Sequence, residues 1–268
     1  MNSSIEPIRH DGVRVLLVIV SAVVAVVGSF IGSGALVGTP IAQVADGALA
    51  ADATAVAPGE PAFSIWTLIY SGFIGYAIWQ ALPAHRADVR QRQVGWWFAA
   101  AMVLNAAWIT CVQFEQLWLS VLVIIALLAV LVVVFGFLTT ERPAGRVEAV
   151  LVDGTAYIYL GWVCVAVVTN IAATLAGADI DPFGLGPDTW AVLVLALVAV
   201  VAGLLAVAGH GRFTVTAAIV WGLAWIVVAR TSGDGLDSRP AAIAVAVAAA
   251  VAIAATAIAR SPRSHSPR

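Results

Sequence analysis

Lysine is absent: all 13 basic residues among the 268 are arginine. Charge of either sign is scarce, with 10% Asp, Glu, Lys and Arg against about 25% in an ordinary soluble domain. This excludes a soluble globular enzyme and a disordered chain. The formal net charge of −2 offers no basic patch for a phosphate backbone, so no nucleic-acid partner is expected. Cysteine is limited to Cys111 and Cys164, both inside apolar stretches. Neither has the C-x-x-C spacing of a metal site, and two such residues make no disulfide framework. The four histidines, His10, His85, His210 and His265, all fall outside the apolar stretches. No required cofactor and no metal are expected.

Apolar residues are what the chain has in excess: 62% are hydrophobic, the mean hydropathy is +1.01, and there are 10 tryptophans. A spanning helix needs about 20 apolar residues. Eight such stretches can be marked, at 15–37, 63–82, 94–112, 117–138, 150–175, 190–208, 213–229 and 241–259. Lipid admits only helices or closed barrels, and runs of this length without strict alternation select helices. The first run follows Arg9 and Arg14 and precedes small residues, as a signal peptide does. It is longer than a usual signal core and is expected to remain as a span.

The arginines set the expected orientation. With eight spans, 11 of the 13 fall in the two termini and in the loops after helices 2, 4 and 6. The other side holds only Arg230 and Arg239, with nine acids that include Asp52, Asp181 and Asp237. Both termini are therefore expected in the cytoplasm. Arginine without lysine in an Ala- and Val-rich chain is the footprint of a GC-rich bacterial genome, which places the protein in a bacterial cytoplasmic membrane. One loop stands out. Residues 38–62 form a long external connection, a lid or a loose tether.

Helix 2 opens on Pro58, Gly59, Glu60 and Pro61, and then repeats Phe63, Trp66, Tyr70, Phe73, Tyr76 and Trp79 at spacings of three and four. That puts six aromatics on one face, for packing or for a ligand wall. Helix 3 carries Asn105 and, three residues on, Trp108. A mid-membrane amide must face other helices or a cavity. Helix 5 carries Trp162, Ala166 and Asn170, with Asp153 one turn from its arginine-rich end. That acid is expected to be hydrated or paired with a loop arginine. At about 1.5 Å per residue, Trp66, Trp108 and Asn170 fall roughly 6–10 Å outward of their helix centres and Asn105 at the centre, all below the long loop.

The order F-x-x-W-T-x-x-Y, then L-N-x-x-W, then Y-L-x-W-V-x-x-A-x-x-x-N resembles the TspO/MBR family, the tryptophan-rich sensory or translocator proteins, over about residues 13–175. The resemblance implies an all-α integral membrane fold: a five-helix bundle over residues 1–175, with residues 176–268 as a three-helix extension. It implies a porphyrin, haem-type or similar flat hydrophobic ligand under the first external loop, with transport, sensing and light-dependent breakdown all attributed to the family. By position, Trp66, Asn105, Trp108, Trp162, Ala166 and Asn170 resemble the family's pocket residues. The family's loop motif W-x-x-L-x-K-P-x-W is absent, because residues 38–61 contain no Trp and no Lys. A secondary transporter and a membrane-embedded enzyme remain as alternatives, although no span has an internal proline and only Asp153 is an acid within one. Helices 6–8, including Trp221 and Trp225, are expected to face lipid or an oligomer partner. Gly95 and Ala99, a small-xxx-small pair, suggest a homodimer through helix 3.

Overall fold

A computed structural model describes residues 9–32, 38–232 and 236–261. It is built of helices, and eight are long and apolar enough to cross a membrane. They are α1 (Arg9–Gly32), α2 (Ile65–Ala81), α3 (Val89–Gln113), α4 (Leu117–Thr140), α5 (Arg146–Gly177), α6 (Pro187–Ala208), α7 (Phe213–Thr231) and α8 (Arg239–Arg260). The chain is a multi-pass membrane protein with the fold class its sequence indicates. The end of the first apolar run, 33–37, lies outside the described residues.

Local chemistry explains where several helices start. A short 3₁₀ turn, Glu60–Ser64, with Pro61 near its start, leads into α2. Asp88 caps α3 by accepting from the Arg90 N–H at 2.9 Å, so this helix begins five residues before its apolar run. Arg90 is thus a first-turn helix residue and not a loop residue. Ser238 caps α8 by accepting from the Ala241 N–H at 3.2 Å, and prolines occupy the first turns of α6 and α8. These are the positions where a missing N–H costs nothing.

The most extensive helix contacts are α1 with α3, α3 with α4, and α6 with α8. Next come α5 with α7, α7 with α8, and α4 with α5. Helix α5 is central: Tyr159, Leu160, Trp162, Val163 and Val165 are all buried. Gly161 permits its contact with α7, since a Cβ there would fall on the Val215 carbonyl oxygen and 2.8 Å from Ala218 Cβ. Gly95 and Ala99 are buried, and a Cβ on Gly95 would lie 2.8 Å from the Arg14 side chain. Arg14 of α1 and Tyr76 of α2 therefore cover Gly95 within the chain.

The charged groups gather at two opposite ends. At the arginine-rich end, Arg90 donates to Glu148 Oε1 at 2.9 Å and to Asp153 Oδ1 at 2.6 Å, all three side chains being buried. Gln91 also donates to Glu148, and Arg212 lies 4.0 Å from Asp153 Oδ2. Arg92 pairs with Asp11 at 2.7 Å. Asp153 sits in a π-helical turn, Ala149–Gly154, and its main partner comes from helix α3. At the opposite end, Ser238 donates to Asp188 at 2.6 Å, and Arg230 of α7 reaches into the loop that precedes α2.

Candidate functional site

The aromatic face of α2 turns inward along its whole length. Phe73, Tyr76 and Trp79 are buried, and Phe63, Trp66 and Tyr70 are partly buried against the core. Trp66 is the hub. Its ring lies 5.4 Å from Tyr70 and 6.4 Å from Trp108, near parallel to both, and meets Trp162 edge-on at 6.2 Å and Tyr159 edge-on at 5.9 Å. Phe63 adds a further edge contact to Trp162 at 5.8 Å. Such pairs contribute about 0.5–1.5 kcal/mol each beyond buried area, so the cluster shapes this part of the bundle whether or not a ligand is bound.

Above this cluster lies a cavity. Its walls include Phe63, Trp66, Trp108, Trp162, Ala166 and Asn170. Its roof is the long loop, through Ile41, Ala48, Leu49, Thr54, Ala57 and Pro58. Five of the six residues marked in the sequence line it; Asn105 does not. Its side-chain oxygen accepts from the Tyr70 hydroxyl at 3.0 Å, and it is fully buried beneath the rings. Asn170 lines the cavity, yet its amide is already engaged. Asn170 Oδ1 accepts from Trp108 Nε1 at 3.1 Å, and Nδ2 donates to Ser120 Oγ at 2.9 Å. It holds the Trp108 ring in place. Two cavity-lining groups have a spare hydrogen bond among the described residues: Trp162, 2% exposed, whose Nε1–H has no acceptor, and the Thr54 hydroxyl in the roof.

Among the described residues no charged side chain lines this cavity. Its walls are apolar and aromatic with a few neutral polar groups, the composition of small-molecule sites. Its free space is about 30 Å³, room for one or two waters, whereas ligand pockets hold roughly 300–1,000 Å³. The near-parallel Trp66 and Trp108 rings, with centroids 6.4 Å apart, also stand closer than the roughly 7 Å that a flat molecule between them needs at about 3.5 Å per contact. As it stands the cavity has no room for a flat ligand.

The long loop is a lid, not a tether. Ala55, Val56 and Ala57 are buried. Helix α7 holds it: the Gly59 N–H donates to the Trp225 carbonyl at 3.2 Å, and Trp221 Nε1 donates to the Ala62 carbonyl at 2.9 Å. Arg230, 3% exposed, donates to the carbonyls of Thr54 at 2.7 Å, Ala57 at 3.3 Å and Ala51. Helix α7 was expected to face lipid or a partner chain. Instead it packs on α5 and carries the lid. The sequence did carry a signal for this: Arg230 is one of two arginines on the acid-rich side, and it lies in the last turn of an apolar helix.

Among the described residues no group of three or more His, Cys, Asp or Glu is placed to hold a metal ion. Comparison with curated proteins and with solved structures returns no match. The model of the family described as TSPO-like protein matches residues 14–259. The match extends past residue 175, where the motif resemblance stops, and takes in α6, α7 and most of α8. A bundle whose first long loop covers a tryptophan-walled cavity, in a chain matched over nearly its whole length, identifies it: the protein belongs to the TSPO-like family.

Proposed function

We propose that the protein binds a porphyrin or a similarly flat hydrophobic molecule in the cavity under the lid, as a membrane-embedded sensory or translocator-like protein. The observation that carries this is the convergence of Trp66, Trp108 and Trp162 on one cavity, with the Trp162 indole N–H lacking an acceptor among the described residues. Two near-parallel indoles offer faces to a planar ring system, and the third offers a donor to a polar atom at its edge. Entry requires the lid to lift, because the closed cavity holds about 30 Å³. With the arginine-rich end in the cytoplasm of a bacterium, the lid faces outward and the ligand enters from that side. On this reading residues 1–175 supply the walls and roof, and residues 176–268 supply the support that holds the roof.

The test is a titration of the purified protein in nanodiscs with protoporphyrin, followed by the porphyrin's own absorbance, since removing a tryptophan alters protein emission. Losing one stacking ring costs about 1 kcal/mol or more, and about 1.4 kcal/mol is a factor of ten. Trp66→Ala is expected to weaken binding roughly tenfold. Trp118→Ala, at a ring 57% exposed on α4 and outside the cavity, is expected to leave it unchanged. Equal affinities for wild type and Trp66→Ala would remove the site.

A further inference from the structure

Arg230 is the one charged side chain bonded directly to the roof of the cavity among the described residues, and its partners are unusual for a buried cation. An arginine in the last turn of a helix ordinarily reaches its own terminal carbonyls or snorkels to water. Arg230 instead crosses to the lid and donates to the main-chain carbonyls of Ala51, Thr54 and Ala57. It makes no ion pair among the described residues, while Arg90, Arg92 and Arg212 all do. Its Nε–H has no acceptor among the described residues. The guanidinium is 3% exposed and its hydrogen bonds among the described residues go to neutral carbonyls, with the charges of Asp52 and Asp237 felt through space but not paired; a planar fork of donors matches the two oxygens of a carboxylate.

Two of those carbonyls belong to Thr54 and Ala57, which line the cavity. The guanidinium therefore lies one hydrogen bond behind the roof. Lifting the lid strips it of all three acceptors, and water or an anion must then take their place. We propose that Arg230 is the ligand's carboxylate receptor: as the lid lifts, the guanidinium exchanges lid carbonyls for a carboxylate on the edge of the flat ligand. This rests on the cavity being the ligand site, and it narrows the ligand class to planar apolar acids. A neutral molecule of the same shape leaves Arg230 to water, with no charge-assisted pair to offset opening. A carboxylate replaces what opening removes, so the charge that selects the ligand also opens the site. Helix α7 thereby contributes a binding residue from outside the first five helices.

The experiment compares protoporphyrin, which carries two carboxylates, with its neutral dimethyl ester. Both are titrated into wild type, Arg230→Gln, Arg230→Lys and Trp66→Ala in nanodiscs, with partition into empty nanodiscs subtracted. Wild type is expected to prefer the acid by about tenfold or more, the scale of a charge-assisted pair. Arg230→Gln is expected to abolish that preference by weakening the acid alone, with the ester unchanged or tighter because the lid is looser. Arg230→Lys, which keeps the charge but not the fork, is expected to retain part of it. If Arg230→Gln shifts acid and ester by the same factor, the residue is only a latch and the carboxylate role is overturned. The same holds if wild type binds the ester as tightly as the acid, a result that needs no variant to fold. In either case a loss of both ligands in Trp66→Ala leaves the cavity assignment standing. If Trp66→Ala weakens neither, the cavity and the arginine's role fall together.

Discussion

Asn105 and Asn170 look alike in the sequence, two amides inside apolar helices, and the structure gives them different work. Asn170 uses its oxygen on Trp108 and its nitrogen on Ser120. Asn170→Leu keeps the branched shape but leaves a buried indole N–H and a hydroxyl without it, a loss of about 1–3 kcal/mol. Trp108 then loses its fixed orientation at the cavity wall. Both the melting temperature and the porphyrin affinity are expected to fall. Asn105 lies below the rings and accepts from Tyr70. Asn105→Leu is expected to lower the melting temperature by a similar penalty while the folded fraction binds porphyrin as wild type does. A drop in affinity for Asn105→Leu with unchanged melting would put that amide in the site after all. The i, i+3 spacing does place Asn105 and Trp108 on one side of α3, but about 4.5 Å apart along the axis. One turn is enough to separate a cavity wall from the packing beneath it, and spacing alone carries no information about where the cavity floor lies.

Contacts between whole elements rest on a few positions that hydropathy does not reveal. Gly161 sets the approach of α5 to α7, whereas a Cβ on Gly203 of α6 would meet nothing within 4 Å. Gly161→Ala is expected to lower thermal stability and Gly203→Ala is not; equal effects would show that α5 and α7 do not meet there. The buried knot of Arg90 with Glu148 and Asp153 joins α3 to the start of α5. Removing one partner of a buried ion pair costs about 3–5 kcal/mol, since the other charge is left without compensation. Arg90→Gln is expected to unfold the protein at a markedly lower temperature, and adding Glu148→Gln and Asp153→Asn is expected to recover much of the loss. That Asp153 would need a partner was legible from its place in a span. Its partner is one of the arginines assigned to the loop after helix 2, as one of the two expectations had it; that this arginine sits on α3 was hidden, because the Asp88 cap carries the helix back over the polar residues Arg90 to Gln93.

At the scale of the whole molecule, the charge distribution fixes a direction that can be measured. Reporter fusions at Asp52, Asp181 and Asp237 are expected to read the external side, following the excess of arginine at the opposite end. A cytoplasmic signal at any of them would invert the lid and the route to the cavity. The structure also changes what the last three helices are for. Taken one at a time they are featureless, and α8 is almost wholly Ala, Val and Ile. In the assembled bundle α7 lies between α5 and α8, and its lid-side end grips the loop between α1 and α2.

Eight membrane helices, their approximate limits and the identity of five cavity residues were written in the linear pattern. Span length, aromatic periodicity and motif order are local properties, enforced by lipid on each helix separately. The closure of the cavity, the engagement of Asn170 with Trp108 and the grip of Arg230 on residues 51–57 were decided only by tertiary structure. Each joins groups from elements distant along the chain. A buried polar group must find a partner, but which one it finds depends on how the helices stack, and no spacing within a single helix records that.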